Sequence, residues 1–274
     1  GEAMTAADAA YDVRSGQTDL EHHYGTRVTL LHAPAVMSLL TRIGHPDVVQ
    51  PELGDLVRAA YQHLAMEAFN RLLPVARIEA PTRMIEHTER GVYRGSALAP
   101  DQKVVSVAIA RAGIVPSELC FRFAAQLLGV RHVRQDHFAM ARKTNAAGAV
   151  IGVAVSGEKI GGDVDAATVL LPDPMGATGG SIDHAIAHYK ANVAGRAARY
   201  VALFLTVTPE AIERLLAAHD DVHIIALRLD RGFSSQAALA AAPGSVAGER
   251  GLTDTQYIVP GAGGVGEVLN NSFV

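Results

Sequence analysis

The segment Thr168-Val169-Leu170-Leu171-Pro172-Asp173-Pro174-Met175-Gly176-Ala177-Thr178-Gly179-Gly180-Ser181 holds the densest chemistry in the chain. An apolar run leads into one carboxylate, then into small residues, then into a stretch of helical character. Gly179 and Gly180 let the backbone turn tightly and leave room for an anion. Thr178 and Ser181 add hydroxyl donors, and a helix starting near Gly180 presents free amides and the positive end of its dipole. A phosphate monoester suits such a cradle. The Gly-Lys-Ser/Thr ending of a nucleotide-binding P-loop is missing, and the Gly-x-Gly-x-x-Gly dinucleotide fingerprint does not occur within this segment. Taken alone, the segment is as compatible with an ordinary glycine-rich strand-to-helix turn.

It does not stand alone. Asp173 to Ser181 resembles the phosphoribosyl pyrophosphate (PRPP) loop of the uracil phosphoribosyltransferases, Asp-Pro-Met-x-Ala-Thr-Gly-Gly-Ser, at every fixed position. In that family the aspartate contacts the ribose hydroxyls and the loop wraps the ribose phosphate. The resemblance gives those roles to Asp173 and to Ala177, Thr178, Gly179, Gly180 and Ser181. Ala110-Arg111-Ala112-Gly113 is similar to the family's Leu-Arg-Ala-Gly loop, which holds pyrophosphate. An arginine fork at a strand end suits a polyanionic leaving group, although by itself Arg111 also reads as a surface residue ending a strand. Val133-Arg134-Gln135-Asp136 resembles a Tyr-Arg-Asp segment whose arginine faces the phosphates, which would add Arg134; a solvated charge cluster is the alternative.

Tyr257-Ile258-Val259-Pro260-Gly261-Ala262-Gly263 resembles the family's Tyr-Ile-x-Pro-Gly-Leu-Gly loop, whose backbone reads uracil. The implied base contacts are Tyr257, Ile258, Pro260, Gly261, Ala262 and Gly263. Uracil offers carbonyl acceptors and a ring N–H, which a glycine-bearing loop can approach closely. The pattern then breaks. Where the family continues Asp-Ala-Gly-Asp, this chain has Gly264-Val265-Gly266-Glu267. Losing the first aspartate removes a charge and an acceptor. Either the acceptor or metal geometry differs, or activity on uracil is weak.

The resemblance implies a type I phosphoribosyltransferase fold: an α/β parallel sheet flanked by helices, with a small hood from N-terminal elements and the C-terminal loop. It implies transfer of the phosphoribosyl group of PRPP to uracil or a uracil-like base, releasing pyrophosphate and, with uracil, forming UMP in pyrimidine salvage. Arg111 and Asp173 are the catalytic candidates. Magnesium is expected, bound mainly through PRPP, with no protein-built metal site, and a homodimer is expected. Two alternatives stay open: the same chemistry on another heterocycle, or a non-catalytic regulator that binds PRPP or a nucleotide.

The elements that must position these residues read as α/β. Asp47 to Leu73 has apolar residues at helical spacing until Pro74. Val104 to Ala110 is a continuous apolar run, the signature of a strand buried on both faces, and Ile114 to Leu128 follows as a helix ended by Gly129. Ala149 to Val155 and Ala167 to Leu171 read as further buried strands, and Gly180 to Val193 as a helix. Tyr200 to Val207, Pro209 to Ala218 and Val222 to Leu227 then alternate strand, helix, strand. Residues 77 to 100 read as irregular. Residues 1–27 are expected to be an arm or a surface-hugging extension and 28–274 a single domain with its core over about 100–230. Such sheets bind ligands beyond the carboxyl ends of their strands, which directs attention to the loops after Ala110, Leu171 and Leu227.

With 49% hydrophobic and 19% charged residues among 274, the chain can bury a large core. A net charge of -4 gives no global attraction for nucleic acid, so none is expected as a partner. Cys120, the one cysteine, excludes an internal disulfide and a cysteine zinc cluster, and its apolar neighbours predict a buried, inert thiol. No run is long enough for a membrane span, and Gly1 to Thr18 lacks a signal-peptide pattern, so a cytoplasmic protein off the membrane is expected. Gly1-Glu2-Ala3 ahead of Met4 reads as a cloning remnant. His184 and His188 have a metal-compatible spacing but no third ligand in view, and an exposed polar helix face is expected.

Overall fold

A computed structural model describes residues 7–274; Gly1 to Ala3 and the start of the expected arm lie outside the described residues. In chain order the elements are β1 (Val28–Leu30), α1 (Pro34–Ile43), α2 (Glu52–Leu72), β2 (Val75–Pro81), β3 (Val92–Leu98), β4 (Val104–Ala110), α3 (Ile114–Leu128), β5 (Val133–Thr144) and β6 (Val150–Lys159). They continue with β7 (Thr168–Pro172), β8 (Met175–Gly176), α4 (Gly180–Asn192), β9 (Arg199–Val207), α5 (Pro209–Ala218), β10 (Val222–Leu229), α6 (Gln236–Ala240) and α7 (Val265–Asn270). One sheet runs in the order β1-β10-β9-β7-β4-β5-β6, with β8 beside β9. Every pairing in it is parallel except β5 with β6.

The central strands are buried along nearly their whole length and mostly apolar because both faces are covered. On β9, Val201, Leu203 and Leu205 belong to the core under α1, α2 and α3, while Tyr200, Ala202 and Phe204 belong to the core under α4 and α5. Alternation along one strand therefore feeds two cores. The α/β expectation holds: a mostly parallel sheet flanked by helices. Local signals set the element ends. Thr208 caps α5 by accepting from the Ala211 amide at 3.0 Å, and Pro209 occupies its first turn.

Two expectations differ. Residues 77–100 are not irregular, since β2 and β3 form an antiparallel hairpin outside the main sheet. Its partly solvated alternation on both faces lacks the apolar run that marks a buried strand. The strand over 149–155 is the antiparallel edge strand β6, with Ile151 and Ser156 to Lys159 exposed, rather than a doubly buried one. The polar strand β5 lies between it and β4. Residues 8–27 lie against the body: Asp8 and Ala10 are buried, Asp19 pairs with Arg71 at 2.8 Å, and the Leu20 amide donates to the Leu30 carbonyl at 2.8 Å.

Arg134 and Asp136 do neither of the things read from the sequence. Asp136 is fully buried and accepts from Arg134 Nε (2.9 Å), the Gly161 amide (2.9 Å) and the Tyr189 hydroxyl (2.7 Å). Arg134 also donates to the carbonyls of Gly162 and Asp163 at 3.0 and 2.7 Å. The pair staples the β6–β7 connection and α4 to β5. Removing the acceptor strands an arginine and a phenol: Asp136→Ala should cost about 3–5 kcal/mol and Tyr189→Phe about 1–2 kcal/mol, read from urea unfolding midpoints. Equal midpoints for Asp136→Ala and wild type would overturn this assignment.

Candidate active site

The carboxyl edge of the sheet opens on a cavity of about 670 Å³, within the size range of small-molecule sites. Three chain segments line it. Ala110, Arg111, Ala112 and Gly113 follow β4; Asp173 and Met175 to Ile182 follow β7; Thr255 to Ile258 and Gly263 to Glu267 come from the C-terminal loop. The tip of the β5–β6 hairpin adds Met140, Ala141, Arg142 and Val153.

The wall formed by the segment after Asp173 is largely backbone. Gly179 caps α4 at φ +77, a conformation glycine adopts without strain, and a Cβ there would press on Leu215 and Ala211. The Thr178 hydroxyl accepts from the Gly180 amide at 3.1 Å. Among the described residues the amides of Gly179, Ser181 and Ile182 have no acceptor, so the helix start offers donors and dipole to an anion. Thr208 holds the loop from behind: its buried hydroxyl donates to the Ala177 carbonyl at 2.6 Å, and its amide to the Gly176 carbonyl at 3.0 Å.

Among the described residues Asp173 accepts only the Met175 amide, at 3.3 Å. Burial pushes its carboxyl up to about 6, opposed by that single hydrogen bond. A carboxylate this poorly compensated gains from hydroxyl donors of a ligand. Across the cavity Arg111 reaches out from the β4–α3 turn, and its Nη2 donates to the Val274 carbonyl at 3.0 Å. Gly113 is packed where a Cβ would lie 2.9 Å from the Ile109 carbonyl and 3.0 Å from that of Pro172. Close packing therefore ties the Arg111 turn to the base of the Asp173 loop.

The structure sorts the expected residues. Arg111, Asp173, Ala177, Thr178, Gly179, Gly180 and Ser181 come together around one space, joined by Tyr257, Ile258 and Gly263. Pro260, Gly261 and Ala262 do not line it. Gly261 is buried against Arg228 and Asp230, and Ala262 packs on the core beside α1. Arg134 is also away from the cavity, because it pairs with Val105 near the start of β4, whereas Ala139 pairs with Ala110 at its end. Arg142, eight residues on and about 26 Å along an extended chain, is the arginine of this strand that faces the cavity. Sequence reasoning missed it for want of the strand's register.

Glu267 was noted only as a departure, yet it lines the cavity. A Cβ on Gly264 would lie 2.6 Å from its Oε2, so the Glu267 carboxylate stands in the space a side chain at 264 would take. Of the other residues weighed, Cys120 is buried with its thiol pushed up to about 12 by desolvation. His188 pairs with Glu158 and sets its ring edge-on to Phe138.

Comparison with known proteins gives one consistent match. The chain fits the family model described as Uracil phosphoribosyltransferase over residues 30–250. A uracil phosphoribosyltransferase of Dictyoglomus turgidum is 26% identical over 242 residues, covering 88% of this chain and 98% of the relative. One of Deinococcus radiodurans is 28% identical over 241 residues, covering 88% and 95%. Among solved structures, the AQ2163 protein of Aquifex aeolicus shares the fold at a TM-score of 0.66 and 20% identity, covering 88% of this chain and 97% of that one.

The raised Asp173 carboxyl predicts a pH-dependent cost. In the unfolded chain it ionises near 3.8 and in the fold near 6, so the folded form binds the extra proton between those values. That stabilising contribution is lost as pH rises through 6. Asp173→Asn should therefore raise the melting temperature at pH 8, by the equivalent of about 1 kcal/mol after allowing for partial solvation. The gain should shrink as pH falls through 6 and vanish below 4. A variant less stable than wild type at pH 8 would contradict the assignment.

Proposed function

Because the chain belongs to the uracil phosphoribosyltransferase family, we propose that it moves the phosphoribosyl group of PRPP onto uracil or a uracil-like base, releasing pyrophosphate. The coarser statement, an enzyme transferring phosphoribosyl to a nucleobase, comes with the family. The finer one rests on a single observation: three segments from distant parts of the chain meet at one cavity, each offering the chemistry of one part of the reactants.

In this reading the free amides after Thr178 hold the ribose phosphate, and Asp173 accepts hydrogen bonds from the ribose hydroxyls. Arg111, with Arg142 across the cavity, holds the pyrophosphate. The base lies against Tyr257, Ile258 and Gly263. A ring nitrogen donates its electron pair to the anomeric carbon, the bond from that carbon to pyrophosphate breaks with its pair leaving on oxygen, and the ring nitrogen gives up its proton. Charge grows on the departing oxygens, where fixed cationic donors stabilise it most. The protein otherwise contributes by bringing both reactants into line.

Magnesium fits this donor set. Among the described residues no group of three His, Cys, Asp or Glu side chains is placed to cage a metal. Magnesium keeps several waters and is held by substrate phosphates with one or two carboxylates. Asp173 and Glu267 are the carboxylates lining the cavity and would hold it through its water shell. When bound, the ion neutralises phosphate charge. A different heterocyclic acceptor remains the second reading, favoured by the carboxylate of Glu267 above Gly264.

The deciding assay is pyrophosphate release from PRPP and magnesium with uracil, against a control lacking base. Release that depends on uracil is expected. Binding of PRPP without release would move the assignment to another acceptor. In the same assay Arg111→Ala should lower kcat/KM about 100-fold with an unchanged melting temperature, since the side chain reaches into the cavity rather than the core. Full activity in that variant would remove Arg111 from the site.

A further inference from the structure

The loop read as the base-contacting loop is hung from a buried ion pair that does not touch the cavity. Asp230, fully buried at the end of β10, accepts from the Gly261 amide through Oδ2 at 3.0 Å. Arg228 donates to the Gly261 carbonyl at 3.2 Å and clamps the same carboxylate through Nε (2.7 Å) and Nη2 (2.9 Å). Both peptide groups of Gly261 are thereby held by one bidentate pair. The second carboxylate oxygen also accepts the Tyr11 hydroxyl at 2.5 Å, and the Tyr11 ring lies 5.8 Å from the Arg228 guanidinium.

Tyr11 comes from the N-terminal segment, and that segment is itself fixed. Asp8 caps the Ala10 amide at 2.8 Å, and His32 bridges the Ala10 carbonyl (2.8 Å) to the Leu229 amide (2.7 Å). Asp230 thus has four hydrogen bonds, two on each oxygen. Buried ion pairs are poor net stabilisers, and their best-attested use is to specify geometry. Here the geometry specified is the position of Gly261, midway between Ile258 and Gly264 at the cavity wall.

We propose that Tyr11 and Asp230 are positioning residues for the acceptor base, so that residues 8–11 belong to the working apparatus of the site although they lie outside it. This rests on the reading of 257–263 as the base-contacting loop. The phosphate cradle and Arg111 hang from β7 and β4 and do not depend on this pair. Loosening it should affect the base and leave PRPP alone.

Two variants of the full chain test this, Tyr11→Phe and Asp230→Asn. The expected result for Tyr11→Phe is a rise in KM for uracil of about fivefold with KM for PRPP within twofold of wild type, and a larger split for Asp230→Asn. Equal rises in both KM values, or no change in either, would overturn the proposal. Asp230→Asn leaves Arg228 short of a partner and can fail to fold, whereas Tyr11→Phe removes one oxygen and keeps the ring. A readout independent of turnover separates this inference from the functional one: amide hydrogen exchange in wild type and Tyr11→Phe. Faster exchange confined to 257–263 supports the positioning role even in a chain without uracil turnover, and unchanged exchange there sinks it.

Discussion

Because β4, β7, β9 and β10 run parallel, pairing Val105 with Val169, Val169 with Tyr200 and Tyr200 with Val222, their carboxyl ends fall along one edge of the sheet. Each strand there hands its chain to a turn and then to a helix or loop on one face or the other. The Arg111 turn and the Asp173 loop are more than sixty residues apart in sequence, yet they leave neighbouring strands. Gly113 leaves no room for a side chain against the Pro172 carbonyl, so the two segments pack closely. Any slip in the β4–β7 register would separate an arginine from the carboxylate that lines the same cavity, so the hydrogen-bonded ladder is what makes a site possible.

On that edge the two ends of the cavity are built differently. The end formed by the Asp173-to-Ser181 loop is backbone: a glycine cap in the left-handed region, free amides, and Thr208 tying the loop down from the next strand. Backbone donors need no side-chain ordering when an anion arrives. The end formed by the C-terminal loop depends on long-range side-chain contacts. Glu210 accepts the amides of Gly251 and Leu252, Asp230 accepts that of Gly261, and Arg231 joins Asp8 to Glu249. The second arrangement is more costly in buried charge and more open to change, and Gly264 with Glu267 is where this chain departs from the family pattern.

What could be read from the sequence followed from locality. A continuous apolar run means a doubly covered strand, so β4, β7, β9 and β10 announced themselves, as did α3 with its glycine stop and α5 with its proline start. The polar strand β5 did not, because only Val133, Asp136 and Phe138 along it are buried. Asp136 looked solvated for the same reason: a carboxylate is buried only when partners distant in sequence satisfy it, and Gly161 and Tyr189 are such partners.

By itself the sequence determined the strand-to-helix cradle of Asp173 to Ser181, since glycines, hydroxyls and a helix start act through the backbone within a few residues. It also determined the α/β alternation, which needs only the period of apolar residues. Tertiary structure decided which arginine of β5 faces the cavity, that Glu267 fills the space above Gly264, and that Gly261 hangs from Asp230 and Tyr11 instead of lining the site. Those outcomes depend on strand register and on partners up to 219 residues apart, and local residue patterns carry no information about either.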